Sequence, residues 1–455
     1  MTMAEDLAAF ASSVSCEGMS EAARKQVKLL VLDALGCAIG SLGAEPIEHL
    51  RKHAEEFGGA PLSTLIGGGQ TAPDRAAFYN TALVRDLDFN DSYMGKKGTV
   101  HPSDNLGAVL AAAEYAGASG TDFIPALALA YQVQCRLADV AGSEARGFDQ
   151  GVAGAYGSAA GAARALGLHA KRAAHAIAIA GASNNPLFVT RTGHISHWKG
   201  FAMAAAGMNA AHAAFLAMRG VTGPLAVFEG TGGMMEAVSG PFEIDWSREK
   251  LDRVLGVAIK KYNAGVHSQT ALEAALELRE KHGFKGEEIE AVEVGLYERA
   301  YNIMGGGKYG GKHDIRNKET ADHSLPYVLA AALLDGQLLP AQYAPARIAA
   351  PDVQALLRKV KVVLAEDLTA RYPAHSCARV KITLKDGRSF ADEHEDYEGF
   401  PTRPMRWETV AAKFHALAAP RAPEPLRRDI EEACARLDSI RVRDLTALLG
   451  RVGRG

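Results

Sequence analysis

Apolar residues along the first half of the chain recur at helical intervals. Over 21–39 they fall at Val27, Leu30, Val31 and Leu35, one face of an amphipathic helix. Similar runs predict helices over 75–85, 106–116, 122–139, 154–166, 171–182 and 200–219. Gly120, Gly142, Gly167 and Gly220 stand at helix stops. No convincing alternation interrupts this region, so it reads as a large all-helical domain. The pattern changes after Tyr262. A helix over 269–282 leads into Ile289–Leu296, where apolar and polar residues alternate as in a half-buried strand. Val360–Leu364 and Ala378–Leu384 alternate likewise. Lys385-Asp386-Gly387-Arg388 is then a hairpin turn signal before Ser389-Phe390-Ala391. A helix over 324–334 lies between these strands, and helices over 407–418 and 426–437 follow Pro404. The prediction is a mainly α fold: a helical domain over 1–263, rejoined by 405–455, with an inserted α+β lid domain over 264–404. A cleft between the two is the expected ligand site.

Composition narrows the class. The chain has 455 residues, 48% hydrophobic and 23% charged, enough for sizeable cores of ordinary globular type. A net charge of -3 offers nothing to nucleic acid and no polybasic membrane patch. Scarce aromatics with abundant Ala and Gly favour helices packed closely through small residues. Cys16, Cys37, Cys135, Cys377 and Cys434 are scattered, without CxxC or any zinc or iron–sulfur spacing, and fit reduced thiols. The acidic start Met1-Thr2-Met3-Ala4-Glu5-Asp6 lacks a basic-then-apolar leader. No apolar run is expected to span a membrane, since even 201–218 is broken by Asn209 and His212. A cytoplasmic protein is the expectation.

Candidate chemistry concentrates in Asp88-Phe89-Asn90-Asp91-Ser92-Tyr93 and the following His101-Pro102-Ser103-Asp104-Asn105, with Lys96 and Lys97 between them. Ser103, Asp104 and Asn105 are good caps for the helix beginning at Leu106, whose N-terminus would suit an anion. On these residues alone a capped, solvated surface loop is the simpler reading. The run 190–200 places Arg191, His194, His197 and Lys199 before an Ala-rich helix and suggests a carboxylate-binding wall. His194 and His197 lack a third ligand at a recognisable spacing, so no metal is expected. Lys260 and Lys261 fall at the expected domain junction. Gly67-Gly68-Gly69 and Gly305-Gly306-Gly307 lack phosphate-loop context and read as flexible loops, the second, from Gly305 to Lys312, as a flap over the cleft. Asp322-His323-Ser324-Leu325-Pro326-Tyr327 is a capped helix start, with Tyr327 either a core aromatic or a phenol facing the site.

Taken in order, Asp88–Tyr93, His101–Asp104, Ser196-His197-Trp198-Lys199-Gly200, Lys260-Lys261-Tyr262-Asn263, His267-Ser268-Gln269-Thr270 and Asp322–Tyr327 resemble the MmgE/PrpD family. That family includes 2-methylcitrate dehydratases, cis-aconitate decarboxylases and an iminodisuccinate epimerase. The resemblance implies a helical domain with an α+β lid, a homodimer, and catalysis without metal, iron–sulfur cluster or other cofactor. It carries the family's aspartate onto Asp88, its histidine onto His101, its lysines onto Lys199 and onto Lys260 or Lys261, and its tyrosine onto Tyr327. These are the expected catalytic residues, with Lys260 preferred over Lys261. Ser92, Lys261, Ser103 and His267 are the expected substrate contacts. Ser92 stands where threonine is common. A histidine found in many members has no counterpart in Gly147-Phe148-Asp149-Gln150-Gly151.

Substrates of the resembled family are small di- or tricarboxylates, and their reactions pass through a carbanion-like centre beside a carboxylate. Such a step needs cations to hold carboxylates and spread charge, and an acid–base group for proton and hydroxide. The expectation is a 2-methylcitrate dehydratase in which His101 moves the proton and Asp88 orients it. Thr190-Arg191-Thr192-Gly193 and His267–Thr270 resemble the dehydratase branch more than the decarboxylases. A cis-aconitate decarboxylase, a dicarboxylate epimerase or isomerase, and a non-catalytic carboxylate-binding protein are the alternatives.

Overall fold

The structure, a computed structural model, describes residues 1–192, 195–308 and 310–453. Gly193 and His194, from the run read as a carboxylate wall, lie outside the described residues, as does Tyr309 of the expected flap. The chain divides into two compact units. The first comprises Met1–Thr190, His197–Val257 and Arg406–Gly455; the second comprises Arg191–Ser196 and Ala258–Met405. The expected boundary at 264 therefore falls inside the second unit, which takes in the segment carrying both candidate lysines.

The first unit is a stack of helices. Pro73–Asp86 packs on Leu106–Ala116 and Trp198–Met218, and Gly120–Val140 packs on Gly151–Ala165. Close approach depends on missing side chains. A Cβ on Gly157 would lie 2.6 Å from the Ala130 carbonyl oxygen, and one on Gly181 would lie 2.4 Å from the Tyr156 ring. Trp198–Met218 has the length and hydropathy of a membrane span, contrary to the sequence expectation. Asn209 and His212 do not lower its mean hydropathy below that of a span, and most of the helix is buried among other helices, the ordinary state of a core helix. Trp407–Ala418 packs against Glu21–Gly40 and so returns the C-terminal segment to this unit. Gly67, Gly68 and Gly69 all have positive φ, at 93°, 104° and 85°. They form the tight turn joining Ser63–Thr64 to Gln70–Thr71, so the flexible-loop reading gives way to a short antiparallel ribbon.

In the second unit a four-stranded sheet runs in the order Val360–Leu364, Ile289–Leu296, Ala378–Leu384, Ser389–His394. The first pair is parallel and the others antiparallel. A register shift between Ile289 and Ala291 leaves Glu290 and Ala291 both exposed, after which the alternation resumes with Val292 and Val294 inward. Gln269–His282 and Leu325–Asp335 cover the sheet through Leu272, Leu278, Val328 and Leu329, all buried.

Candidate active site

Helix Pro73–Asp86 ends at Leu87, and Asp88 follows with φ 52°, the only non-glycine residue with positive φ among the described residues. Left-handed backbone at a branched polar residue costs energy and persists only where its surroundings fix it. Here they do. Phe89, Asn90, Asp91 and Ser92 are buried, with Lys413 Nζ 3.8 Å over the Phe89 ring and 2.8 Å from the Phe89 carbonyl oxygen. Lys413 also pairs with Asp33 at 2.7 Å, so a helix from each end of the chain anchors the turn. The solvated-loop reading is thus overturned.

The expected helix caps fail for the same reason. Residues Pro102–Asn105 form a 3-10 turn, and the helix after them starts without a side-chain cap. Their polar groups bond inward instead. Ser103 donates from its N–H (3.0 Å) and hydroxyl (2.7 Å) to Asp91 Oδ1, while Asn90 Nδ2 donates to Ser103 Oγ and Asp104 Oδ1, both at 2.9 Å. Asn105 Oδ1 accepts from Ser158 at 2.7 Å. Ser103, expected to touch substrate, therefore braces Asp91. Tyr131 donates to Asp91 Oδ2 at 2.9 Å. Burial, with the Asp33 charge, nevertheless outweighs these donors and pushes the Asp91 carboxyl up to about 6.

At the centre lies Arg85, which stands outside the sequence-based set. Its Nη1 is 2.5 Å from Asp88 Oδ1, its Nη2 3.3 Å from His101 Nε2, and its Nε 3.9 Å from Asp104 Oδ2. Lys199 Nζ lies 3.6 Å from Asp88 Oδ2, so Asp88 sits between two cations. A guanidinium can only donate, so His101 Nε2 is the acceptor and the proton sits on Nδ1. Nδ1 is 2.8 Å from the Asp91 carbonyl oxygen and 3.1 Å from Ser92 Oγ. The His101 N–H donates to Gln150 Oε1 at 2.7 Å, and Gln150 Nε2 donates to Asp104 Oδ2 at 3.2 Å. Arg85 stands between Asp88 and the His101 ring. Orientation of His101 by Asp88 is thereby corrected: the ring is set by Arg85, Ser92 and the Asp91 carbonyl. No spacing rule flags Arg85 or Gln150, since a basic residue in a last helical turn and an amide after a glycine turn are both commonplace.

Within the second unit the adjacent lysines separate. Lys260 is fully buried, whereas Lys261 is partly exposed and pairs with Glu273 at 3.0 Å and Glu398 at 3.1 Å. Burial opposes the Lys261 charge, but Tyr262 and these carboxylates hold its ammonium above the ordinary value. Lys261 is thus committed to protein carboxylates rather than to a substrate. Tyr327 is also corrected: its ring is part of the hydrophobic core and its hydroxyl donates to the Gln342 carbonyl. Burial raises that phenol. His267 is buried, with Nδ1 2.6 Å from Tyr297 Oη, which lies 3.3 Å from Ser376 Oγ. Burial first, then the charges of Arg299, His323 and Lys260, depress the imidazole well below its ordinary value. Glu273, Glu277 and His394 bring ligand atoms close enough for an ion, but Glu273 already pairs with Lys261 and, at 2.8 Å, with Arg403.

Two family profiles match in order, the MmgE/PrpD N-terminal domain over residues 5–247 and the MmgE/PrpD C-terminal domain over 262–439. The mouse cis-aconitate decarboxylase is 26% identical over 450 residues, 92% of this chain and 87% of that one. The mitochondrial 2-methylcitrate dehydratase of Yarrowia lipolytica is 28% identical over 392 residues, 81% of this chain and 74% of that one. The 2-methylcitrate dehydratase of Escherichia coli K12 is 28% identical over 399 residues, covering 81% and 80%. This chain belongs to the MmgE/PrpD family, whose relatives here bear the names of dehydratases and decarboxylases.

Proposed function

We propose that this MmgE/PrpD member is a hydro-lyase that removes water from a small tricarboxylate, 2-methylcitrate first, giving 2-methyl-cis-aconitate. The observation that supports it is the buried set Arg85, Asp88, His101 and Lys199, an imidazole and a carboxylate held among cations. Dehydration breaks a C–H bond beside one carboxylate and a C–O bond at the neighbouring carbon, and the two electrons of the C–H bond become the new double bond. The hydroxyl leaves with a proton as water. Developing carbanion charge is stabilised by fixed cations in a dry site, the part given to Lys199. His101 moves the proton. Its Nε2 lone pair becomes available when substrate draws the Arg85 guanidinium aside, and Ser92 and the Asp91 carbonyl hold the ring meanwhile.

A decarboxylase is the second reading, favoured by the 92% of this chain that aligns with the mouse enzyme. Gln150 weighs against it. The Gly147–Gly151 turn, which resembles the place of a family histidine, here holds an amide that cannot donate a proton to a carbanion left by carbon dioxide.

Incubating the protein with 2-methylcitrate, citrate and cis-aconitate separates these readings. An unsaturated product without gas is expected, and released carbon dioxide would overturn it. His101→Ala is expected to cut turnover about 10²–10⁴-fold. Near-normal turnover in the folded variant would remove His101 from the reaction.

A further inference from the structure

Buried polar atoms normally find partners, and an imidazole nitrogen without one signals a missing ligand. His267 is 5% exposed, and its Nε2 has no hydrogen-bond partner among the described residues. The ring sits in the 3-10 turn Val266–Ser268 that opens helix Gln269–His282. Its other nitrogen is engaged by Tyr297, which is itself fixed by stacking on Tyr372 at 4.5 Å and 12° and by the Ser376 hydroxyl.

We propose that Tyr297 is a positioning residue that locks His267 in the Nε2–H form, making that N–H a dedicated donor to a substrate carboxylate. The direction of the chain follows from donor strength. A phenol is a far better donor than acceptor, and a serine hydroxyl can supply the phenol oxygen with a hydrogen bond. The protons therefore run from Ser376 Oγ to Tyr297 Oη, and from Tyr297 Oη to His267 Nδ1, which leaves the ring's single proton on Nε2. Burial holds the Tyr297 phenol well above its ordinary value, so the donor proton stays. Burial keeps His267 neutral, and the positive charges that reinforce it, Arg299, His323 and Lys260, also select an anion as the acceptor. An N–H left unmade in burial costs about 1–3 kcal/mol, and a carboxylate oxygen would restore it. His267 is on this account a binding group and not a base, because its only free nitrogen already carries the proton.

The carboxylate assignment rests on the function proposed above, whereas the tautomer does not, and the experiment separates them. Nitrogen-15 histidine spectra of the full chain, assigned with His267→Gln, are recorded alone and with tricarballylate, a tricarboxylate with no hydroxyl to lose. A protonated Nε2 and bare Nδ1 on His267 are expected, with the Nε2 signal moving on addition of tricarballylate. Tyr297→Phe is expected to populate the Nδ1–H form, weaken tricarballylate binding several-fold and raise KM with little change in kcat. His267→Leu should weaken binding about ten- to hundredfold, and His267→Gln, whose amide N–H reaches a similar point, should recover most of it. A wild-type Nδ1–H tautomer, an Nε2 signal unmoved by tricarballylate, or absent binding would each overturn the proposal. Binding with the expected shifts but no dehydration would sustain it while removing the hydro-lyase reading.

Discussion

The polar cluster around Arg85 and the one around His267 are buried to the same degree and solve the cost of burial in opposite ways. Around Arg85 the groups keep their charges and cancel them: Asp88 lies between Arg85 and Lys199, and Asp33 pairs with Lys413. Along the hydrogen-bonded line through His267 the groups themselves carry no charge, a neutral imidazole, a phenol and a hydroxyl, although Arg299, His323 and Lys260 act on it from nearby. The first arrangement can redistribute charge when a ligand enters. The second can only present a hydrogen bond of fixed direction. Asp91 belongs to the first cluster but behaves like the second, its carboxyl lifted to about 6 by burial. Chemistry is therefore expected of the first cluster and recognition of the second.

Removing one partner from a charge-cancelling network should hurt most. Arg85→Met removes the guanidinium from Asp88 while leaving the buried carboxylate in place, and a loss of about 3–5 kcal/mol in unfolding free energy is expected by denaturant titration. A loss below about 1 kcal/mol would mean that the carboxylate finds other relief and that cancellation is not what holds this turn.

A pH series tests the exception. The native Asp91 carboxyl titrates near 6 and the unfolded one near 3.8, so between those values the native state holds a proton that the unfolded chain releases. That contribution makes stability fall as pH rises from about 3.8 to about 6, by about 3 kcal/mol in all, and stay level above. Asp91→Asn, already neutral, should lose this component. Its stability relative to wild type should improve across that window and not beyond it. A difference independent of pH would show that folding does not raise the Asp91 carboxyl.

The smallest effect is expected at Tyr327, in the second unit but outside its polar line. Tyr327→Phe removes one hydrogen bond to the Gln342 carbonyl and should cost about 1 kcal/mol, with turnover within a few-fold of wild type. A loss of turnover by orders of magnitude would return the phenol to the reaction.

Much of the architecture could be read along the chain. Helix Gln269–His282 and strands Ile289–Leu296, Val360–Leu364 and Ala378–Leu384 begin and end where the periodicity places them, since each buries one face against a single layer. Several helices of the first unit start earlier than the periodicity places them, as in Gly120–Val140, because glycine and small residues let neighbours pack where propensity alone would not begin the helix. At the site, the residue types in Asp88–Asn105 were legible, but their partners were not. Ser103 and Asn105 have the form of caps, yet in a buried turn Ser103 satisfies Asp91 and Asn90 while Asn105 satisfies Ser158 and Gln134.

Sequence by itself determined the family, the order of helical and α+β segments, and the short stretches in which carboxylates, imidazoles and lysines gather, because periodicity and motif order are local properties. Tertiary structure alone decided that Arg85 stands between Asp88 and His101, that Lys260 is buried while Lys261 is spent on Glu273 and Glu398, and that Tyr297 faces His267. Those outcomes depend on which distant groups share a desolvated volume, where each buried donor or charge must be matched within about 3 Å. No pattern along the chain records that matching.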